Sequence, residues 1–170
     1  MQLANYWNPQ DTSWAFLREA QTNTLAVPHT GQVVTVDIGD RSDIHPRNKQ
    51  TVGRRLARIA LKNDYGFGSL ESSGPVLNQA KRDGTGFKIT FTHTAGGLIA
   101  PLNELSGFEL AGADKVFKPA EAKIENDTVI ATSIQVSEPV AVRYAWRNAP
   151  IAGLFNKEGL PAAPFRTDNW

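Results

Sequence analysis

The chain has 170 residues, of which 41% are apolar and 21% charged, and its formal net charge at pH 7 is +1. These are ordinary values for a globular chain, and they give no electrostatic reason to expect a nucleic acid or an anionic membrane as partner. The absence of cysteine excludes disulfides and cysteine-ligated metal sites. No apolar run approaches the roughly 20 residues of a membrane span, and no signal peptide is visible after Met1.

The first segments are a loop and a short helix. The polar and aromatic run from Gln2 to Pro9 is typical of a loop. A helix is predicted from Trp14 to about Gln21, with Thr12 or Ser13 as its N-cap. For Arg18 we expect an ion pair within this helix or to a loop.

The stretch from Val33 to Leu61 is predicted to form a strand, a polar loop and a helix. The β-branched run Val33–Val36 is typical of a strand covered on both faces, as in parallel sheets. Asn48 can cap a helix that begins near Lys49. The predicted apolar face of this helix consists of Val52, Leu56, Ile59 and Ala60, and the other side carries Arg54, Arg55 and Arg58.

His45, in the loop between the predicted strand and helix, is the candidate catalytic residue. This is where open α/β sheets place working residues, and Pro46 restricts the backbone of His45 to extended conformations. Asp43 and Asp40 precede it by two and five residues, and either carboxylate could orient the ring as the acid of a Ser-His-Asp triad does. A metal site ranks lower, because no second histidine stands at a ligand spacing. A surface or structural histidine is the remaining alternative.

From about residue 74 to residue 147 the pattern changes to short strands with no helix signal. Apolar and polar residues alternate in Phe87–Phe91, in Phe108–Leu110 and in 140–146, and a turn at 125–127 separates two strands of a hairpin. Strands at this spacing predict a β-sandwich-like unit. An aromatic and cationic sugar platform could be formed by Phe117, Tyr144, Trp146 and Arg147, although aromatics in such strands are more often core. His93 is expected to be exposed.

Four segments together resemble the C-terminal half of bacterial sialate O-acetylesterases, which are SGNH-type (GDSL-like) carbohydrate esterases. They are SWAFLREAQ, DIGDRSDIHPRNKQTVGRRLA, GFELAGADKVFKPAEAKI and NKEGLPAAPFRTD. The resemblance runs from Gln2 to Asp168. It implies an α/β plus all-β chain: the C-terminal portion of a flavodoxin-like esterase domain (1–70, strand-loop-helix), a β-sandwich-like domain (74–147) and a proline-rich tail (148–170) that packs back on the catalytic part.

The resemblance also implies a chemistry for the loop. The chain would take part in hydrolysis of an acetylated carbohydrate without a cofactor, and His45 would be the general base. Asp43 is the first choice for the acid and Asp40 the second, because Ser42 stands where many SGNH enzymes carry the acid. A periplasmic or secreted location would follow from the same resemblance.

Asn5, Tyr6 and Trp7 are candidate substrate contacts. In the resembling esterases this loop follows a sheet strand near the edge of the active site, so these three side chains would face substrate. The alternative is that the aromatic rings pack on the neighbouring helix.

The nucleophilic serine of these esterases has no counterpart here. None of the eight serines follows a strand in the glycine-rich elbow that a nucleophile needs. We therefore predict that the isolated chain has no esterase activity, and that the serine belongs to an N-terminal esterase portion or a partner chain. If there is such a partner, the isolated chain should expose the apolar surface to which it binds, on Val33–Val36 and the helix faces. The alternative is a non-catalytic β-rich carbohydrate-binding or assembly module.

Overall fold

The computed structural model describes residues 1–7, 13–101 and 105–170, in which two α-helices precede ten β-strands. The helices are α1 (Ser13–Asn23) and α2 (Lys49–Asp64), and the short 3-10 helix Thr24–Ala26 directly follows α1. The predicted cap residue Thr12 lies outside the described residues. Within those ranges no helix combines the length and the apolar character needed to cross a membrane.

The strands form two four-stranded sheets and one two-stranded sheet, and neighbouring strands are antiparallel in all three. The strand bounds are β1 (Val76–Asp83), β2 (Gly86–Thr92), β3 (Leu98–Ile99), β4 (Phe108–Ala111), β5 (Phe117–Pro119), β6 (Glu121–Glu125), β7 (Thr128–Thr132), β8 (Ala141–Tyr144), β9 (Phe155–Asn156) and β10 (Phe165–Arg166). One sheet has the order β1-β2-β7-β6, the second β10-β8-β4-β5, and β3 pairs with β9.

One apolar core joins the two larger sheets. The alternating residues of β2, Phe87, Ile89 and Phe91, are buried and meet Leu110 of β4 and Tyr144 of β8. The chain is therefore a mixture of helices and several antiparallel sheets, in which strands predominate. The flavodoxin-like part of the predicted fold and the predicted domain limits stay predictions.

The strand predicted at Val33–Val36 is not formed. This segment is mostly buried, and Val36 already lies in a turn. Among the described residues its backbone hydrogen bond to a distant segment comes from the N–H of Gln2, which donates to the carbonyl of Val33 at 2.9 Å. Side chains satisfy other carbonyls: Asn5 donates to Val36 and Arg55 to Val34, both at 2.8 Å. Because side chains replace a second strand, no ladder develops along the segment.

Arg18 of α1 does not form the predicted ion pair. Its side chain is fully buried, and no carboxylate of the described residues lies within ion-pair distance of it. It donates instead to backbone carbonyls of two segments that are distant in sequence: Leu3, Ala4, Arg147 and Asn148, at 2.7–2.9 Å. Burial lowers the pKa of Arg18 to about 10. The guanidinium thus holds the N-terminal segment against the chain that follows β8.

Helix α2 turns inward most of the predicted face, since Val52 is buried and Ile59 and Ala60 are half-buried, but the inward face also includes Arg55 and leaves out Leu56. Val52 and Arg55 are buried, while Leu56 is exposed. The reason is Asp37, whose carboxylate binds the Arg55 guanidinium through two hydrogen bonds and so draws that side of the helix inward. The cap was correctly predicted, since the Asn48 side chain accepts from the N–H of Thr51 at 3.1 Å.

The C-terminal residues contact both the helices and the sheets. Strand β10 pairs with β8, and Arg166 binds the carboxylate of Glu19 on α1 at 2.8 and 2.9 Å. Asp168 forms a second bidentate ion pair with Arg143 of β8. These contacts place α1 beside the sheet that contains β4 and β8.

Candidate active site

His45 and Asp43 contact each other in the loop before α2. The ring Nδ1 lies 3.3 Å from Asp43 Oδ1, and the backbone N–H of His45 donates to the same oxygen at 2.8 Å. A carboxylate can only accept, so this contact requires the proton of the neutral ring on Nδ1. The lone pair then lies on Nε2, which is the arrangement of a general base. The His45 side chain is 84% exposed.

Asp43 is suited to remain ionised beside this ring. The hydrogen bond from the His45 N–H lowers the pKa of Asp43, and the contact with the ring and the charge of Arg47 act in the same direction against the opposing effect of desolvation. An ionised Asp43 stabilises an imidazolium and fixes the ring tautomer.

Asp40, the second candidate acid, has a different partner. Its Oδ1 accepts from the backbone N–H of Ser42 at 2.8 Å and from the Ser42 hydroxyl at 2.7 Å. The hydrogen bond from the Ser42 N–H is the main reason that the pKa of Asp40 is lowered. The structure therefore brings Asp43 to His45 and uses Asp40 to close the turn at Ser42.

The loop is held by rigid neighbours on both sides. Pro46, directly after His45, is buried, and α2 begins three residues later. On the other side, the chain at Gly39 lies so close to Asn5 that a Cβ at position 39 would be 2.3 Å from the Asn5 nitrogen. The exposed histidine is thus carried on a loop with fixed ends, as a catalytic group requires.

The three candidate substrate contacts of the N-terminal loop have different surroundings. Asn5 is buried, and its amide donates to the carbonyls of Val36 and Pro150, both at 2.8 Å. Tyr6 is half-buried, with its ring 5.8 Å from that of Trp14 on α1. Only Trp7 is widely exposed, at 50%. Asn5 and Tyr6 thus have partners within the fold, and Trp7 is the most exposed of the three, while a substrate contact of any of them stays a prediction.

A cleft of about 380 Å³ lies beside the His45 loop. Its lining includes Trp7 and Arg41, Glu109 of β4 and Arg147 of the segment after β8. The Trp7 N–H donates to the carbonyl of Arg41 at 2.8 Å, and the Arg41 guanidinium lies 4.8 Å above the Trp7 ring. The volume falls within the range of about 300–1,000 Å³ that is common for small-molecule sites.

The aromatic platform considered from the sequence is not present as such. Tyr144 is fully buried, Trp146 is 7% exposed, and the ring of Phe117 is covered by the Arg143 guanidinium at 3.8 Å. For Tyr144 and Trp146 the alternative given with the platform, burial in the core, is the one that the structure shows. Arg147 alone of the predicted set has a largely exposed side chain.

Glu109 is a cleft residue that the sequence did not single out. Its carboxylate is 11% exposed and pairs with the Arg147 guanidinium. The one available signal was a charged residue inside the otherwise apolar run Phe108–Ala111. His93 is exposed, as expected, and its Nδ1 lies 3.1 Å from a carboxylate oxygen of Glu71. Among the residues that the structure describes, no group of three or more potential ligands could hold a metal ion.

Comparison with known proteins supports an esterase relationship. No protein-family model matches the chain. The mouse protein named sialate O-acetylesterase is 27% identical over 187 aligned residues, which cover 97% of this chain and 34% of that protein. A crystal structure of a carbohydrate acetylesterase from Xanthomonas citri matches with a TM-score of 0.93 and 45% identity, covering 99% of this chain and 40% of that one.

This chain therefore spans about a third of the curated relative and two fifths of the solved one. Its strands, helices and loop before α2 lie within the matched region, because the match extends over nearly all of its residues. The resemblance seen in the sequence motifs is confirmed: over its whole length the chain is similar to a part of the carbohydrate acetylesterases.

Proposed function

We propose that the chain is the part of a serine-type carbohydrate O-acetylesterase that supplies the catalytic histidine and acid. The observation that carries the proposal is the contact between His45 and Asp43 on a loop with fixed ends. The names of the mouse and Xanthomonas relatives support the reaction class, acetyl ester hydrolysis.

In the proposed reaction His45 Nε2 takes the proton of a serine hydroxyl while the serine oxygen attacks the acetyl carbonyl. The proton then passes from His45 to the departing sugar oxygen, which leaves an acetyl-serine. Water repeats the sequence, with His45 again as base, and releases acetate. Asp43 accepts from Nδ1–H throughout and stabilises the imidazolium that forms in each half-reaction.

The serine is proposed to come from an N-terminal esterase portion or a partner chain. In the described part of the chain no serine hydroxyl lies within hydrogen-bond distance of the His45 ring, and Ser42, the nearest in sequence, binds Asp40. Exposed apolar side chains are available for such a partner on α1, at Phe16 and Leu17, and on α2, at Leu56. The surface expected on Val33–Val36 is not bare, because that segment is mostly buried.

The alternative is a non-catalytic carbohydrate-binding or assembly module. The observation that favours it is the wide exposure of His45, with Asp43 as its side-chain partner, beside a cleft of ligand size. In this function the cleft binds sugar, and the His45 loop contributes to the lining of the cleft without taking part in catalysis.

The test pairs the native mass of the purified protein with p-nitrophenyl acetate hydrolysis and labelling by a fluorophosphonate, a reagent for activated serines. We expect turnover only in samples that contain a second polypeptide, and label on that polypeptide. His45→Ala should lower turnover by about three orders of magnitude. Label on this chain, or turnover that survives His45→Ala, would contradict the assignment. A bare 18.6 kDa species that stays inactive with every candidate esterase portion would favour the binding module.

A further inference from the structure

We propose that the cleft between Trp7 and Arg147 holds the sugar ring of the ester substrate, and that Glu109 and Arg147 bind its hydroxyl groups. The inference deepens the proposed function, on which it rests, by naming where the carbohydrate part of the ester is bound. It also assigns the antiparallel sheets a direct role, because β4 and the segment after β8 form one wall of the cleft.

The position of the cleft supports this role. Arg41 lines it and belongs to the loop of His45, four residues earlier. A ligand in the cleft therefore lies beside the loop that presents the proposed base. Glu109 and Arg147 form a charged part of the cleft wall, lie on separate elements and meet only in the folded chain.

The charges on this wall suit a neutral sugar. A carboxylate as buried as that of Glu109 is costly unless it is paired, and Arg147 provides the pair. The charges of Glu109 and Arg147 balance each other, and the further positive charge among the described lining residues, that of Arg41, lies on the Trp7 ring. Arg147 binds Oε1 of Glu109, and no hydrogen bond to Oε2 is seen within residues 1–7, 13–101 and 105–170, so Oε2 can accept from one sugar hydroxyl while the exposed N–H groups of Arg147 donate to another. Neighbouring hydroxyl groups on a pyranose ring offer this combination of donor and acceptor.

The apolar surface of the cleft suits the other side of a sugar ring. Trp7 is 50% exposed and Ile151 is 60% exposed, and both line the cleft. Arg41 stacks on Trp7 and fixes the indole, so that little freedom is lost when a ligand binds. The C–H groups of a pyranose can pack on such a surface while its hydroxyl groups face the charged pair.

A similar aromatic pair elsewhere provides a control. Lys115 lies 5.1 Å from the ring of Trp170, which is 38% exposed and does not line the cleft. Trp170 is therefore matched to Trp7 in residue type and in its cationic neighbour, but it lacks the Glu109–Arg147 wall.

The experiment is a titration of the full chain with methyl β-D-xylopyranoside, a neutral pyranoside, to about 50 mM, followed by NMR. We expect saturable shifts of the Trp7 indole N–H and the Gly107 amide, with the Trp170 indole unchanged. Arg147→Ala and Trp7→Ala should each weaken binding about tenfold, read at Gly107, because each removes a direct contact. Trp7 is exposed, so Trp7→Ala should keep the wild-type spectrum elsewhere. Arg147→Ala leaves the carboxylate of Glu109 without its partner, so its folding is checked by its unfolding curve, and Trp7→Ala carries the test if that variant does not fold.

The controls separate this inference from the proposed function. Trp170→Ala and His45→Ala should bind the pyranoside like wild type, since neither side chain lines the cleft. No saturable shift at Trp7 or Gly107, or unchanged binding by Arg147→Ala, would overturn the inference. Tighter binding of a sugar acid that depends on Arg41 and not on Arg147 would also overturn it. If the turnover of an assembly needs His45 but the cleft binds no sugar, the sugar site is contradicted while the proposed esterase function stands.

Discussion

Arg55 and Asp37 form a bidentate ion pair that ties α2 to the segment before the His45 loop. Nη1 of Arg55 lies 2.7 Å from Oδ1 of Asp37, and Nη2 lies 2.5 Å from Oδ2. Nη1 also donates to the carbonyl of Val34 at 2.8 Å. The two side chains are only 9% and 13% exposed. The elements on either side of the loop are thus fixed to each other.

Removing one member of this pair should destabilise the fold. Arg55→Ala leaves the carboxylate of Asp37 buried without its partner, and we expect a loss of about 3 kcal/mol in the free energy of unfolding. Urea denaturation measures the loss. Arg54→Ala is the matched control: Arg54 is the exposed neighbour on the same helix, and its loss should change stability by less than about 0.5 kcal/mol. Equal effects of the two substitutions would contradict the role given to the pair.

The comparison of sequence and structure shows where a hydrophobic pattern is informative. Strand β2 was predicted because its alternate residues are apolar and are indeed buried. Strand β1 was not predicted. Its sequence, VLNQAKRD, is mostly polar and none of its residues is fully buried, so apolar and polar residues do not alternate along it. Arg18 was predicted to form an ion pair, and Arg55 was placed on the side of α2 away from its apolar face. Their burial depends on carbonyls and a carboxylate that only the folded chain brings near.

The same distinction applies to the site. The contact of His45 with Asp43 spans two residues and belongs to a local turn, so the sequence was sufficient to suggest it. The pair of Glu109 and Arg147 spans 38 residues and depends on β4 lying beside β8. No spacing in the sequence signals such a contact. In the candidate site, the contact within one turn could therefore be predicted from the sequence, whereas the contact between two distant elements could not.

Glu71 should make stability depend on pH. Burial alone would raise the pKa of Glu71. Hydrogen bonds from the N–H of Ser73 and from the His93 ring lower it, and so do the charges of His93 and Lys62. The net result is a lowered pKa. A carboxyl group with a lowered pKa in the folded state contributes stability above its unfolded value, and loses it as the pH falls through the folded value.

The expected result is a stability difference between wild type and Glu71→Gln that is present at pH 7 and shrinks below pH 4.5, the ordinary value for the group. Thermal unfolding of both proteins between pH 3 and pH 7 measures this difference. The control is Glu121→Gln, an exposed glutamate of β6, whose effect should stay small across this range. A difference for Glu71→Gln that does not change with pH would show that the charge is not involved.

Two glycines should respond to alanine in opposite directions. At position 39 a Cβ would lie 2.3 Å from the nitrogen and 2.8 Å from the Cβ of Asn5, so the loop must move and we expect a loss of about 2 kcal/mol. At position 53, on an exposed part of α2, nothing lies within 4 Å of an added Cβ. Gly53→Ala should therefore stabilise the chain by about 0.5–1 kcal/mol. Chemical denaturation of both variants checks the signs, and a stabilising Gly39→Ala would contradict the close approach to Asn5.

Substitutions of the two candidate acids, Asp43 and Asp40, should lower kcat to different extents in any active assembly that contains this chain. Asp43→Asn keeps the shape of the side chain but cannot stabilise the imidazolium, and its amide permits the wrong ring tautomer. We expect kcat to fall by a factor of about 10³–10⁴. Asp40→Asn should lower kcat by less than about tenfold, since Asp40 binds Ser42 and not the ring. Folding of both variants is checked by their unfolding curves. A larger loss for Asp40→Asn would transfer the role of the acid to Asp40 and require the loop to rearrange when the serine is in place.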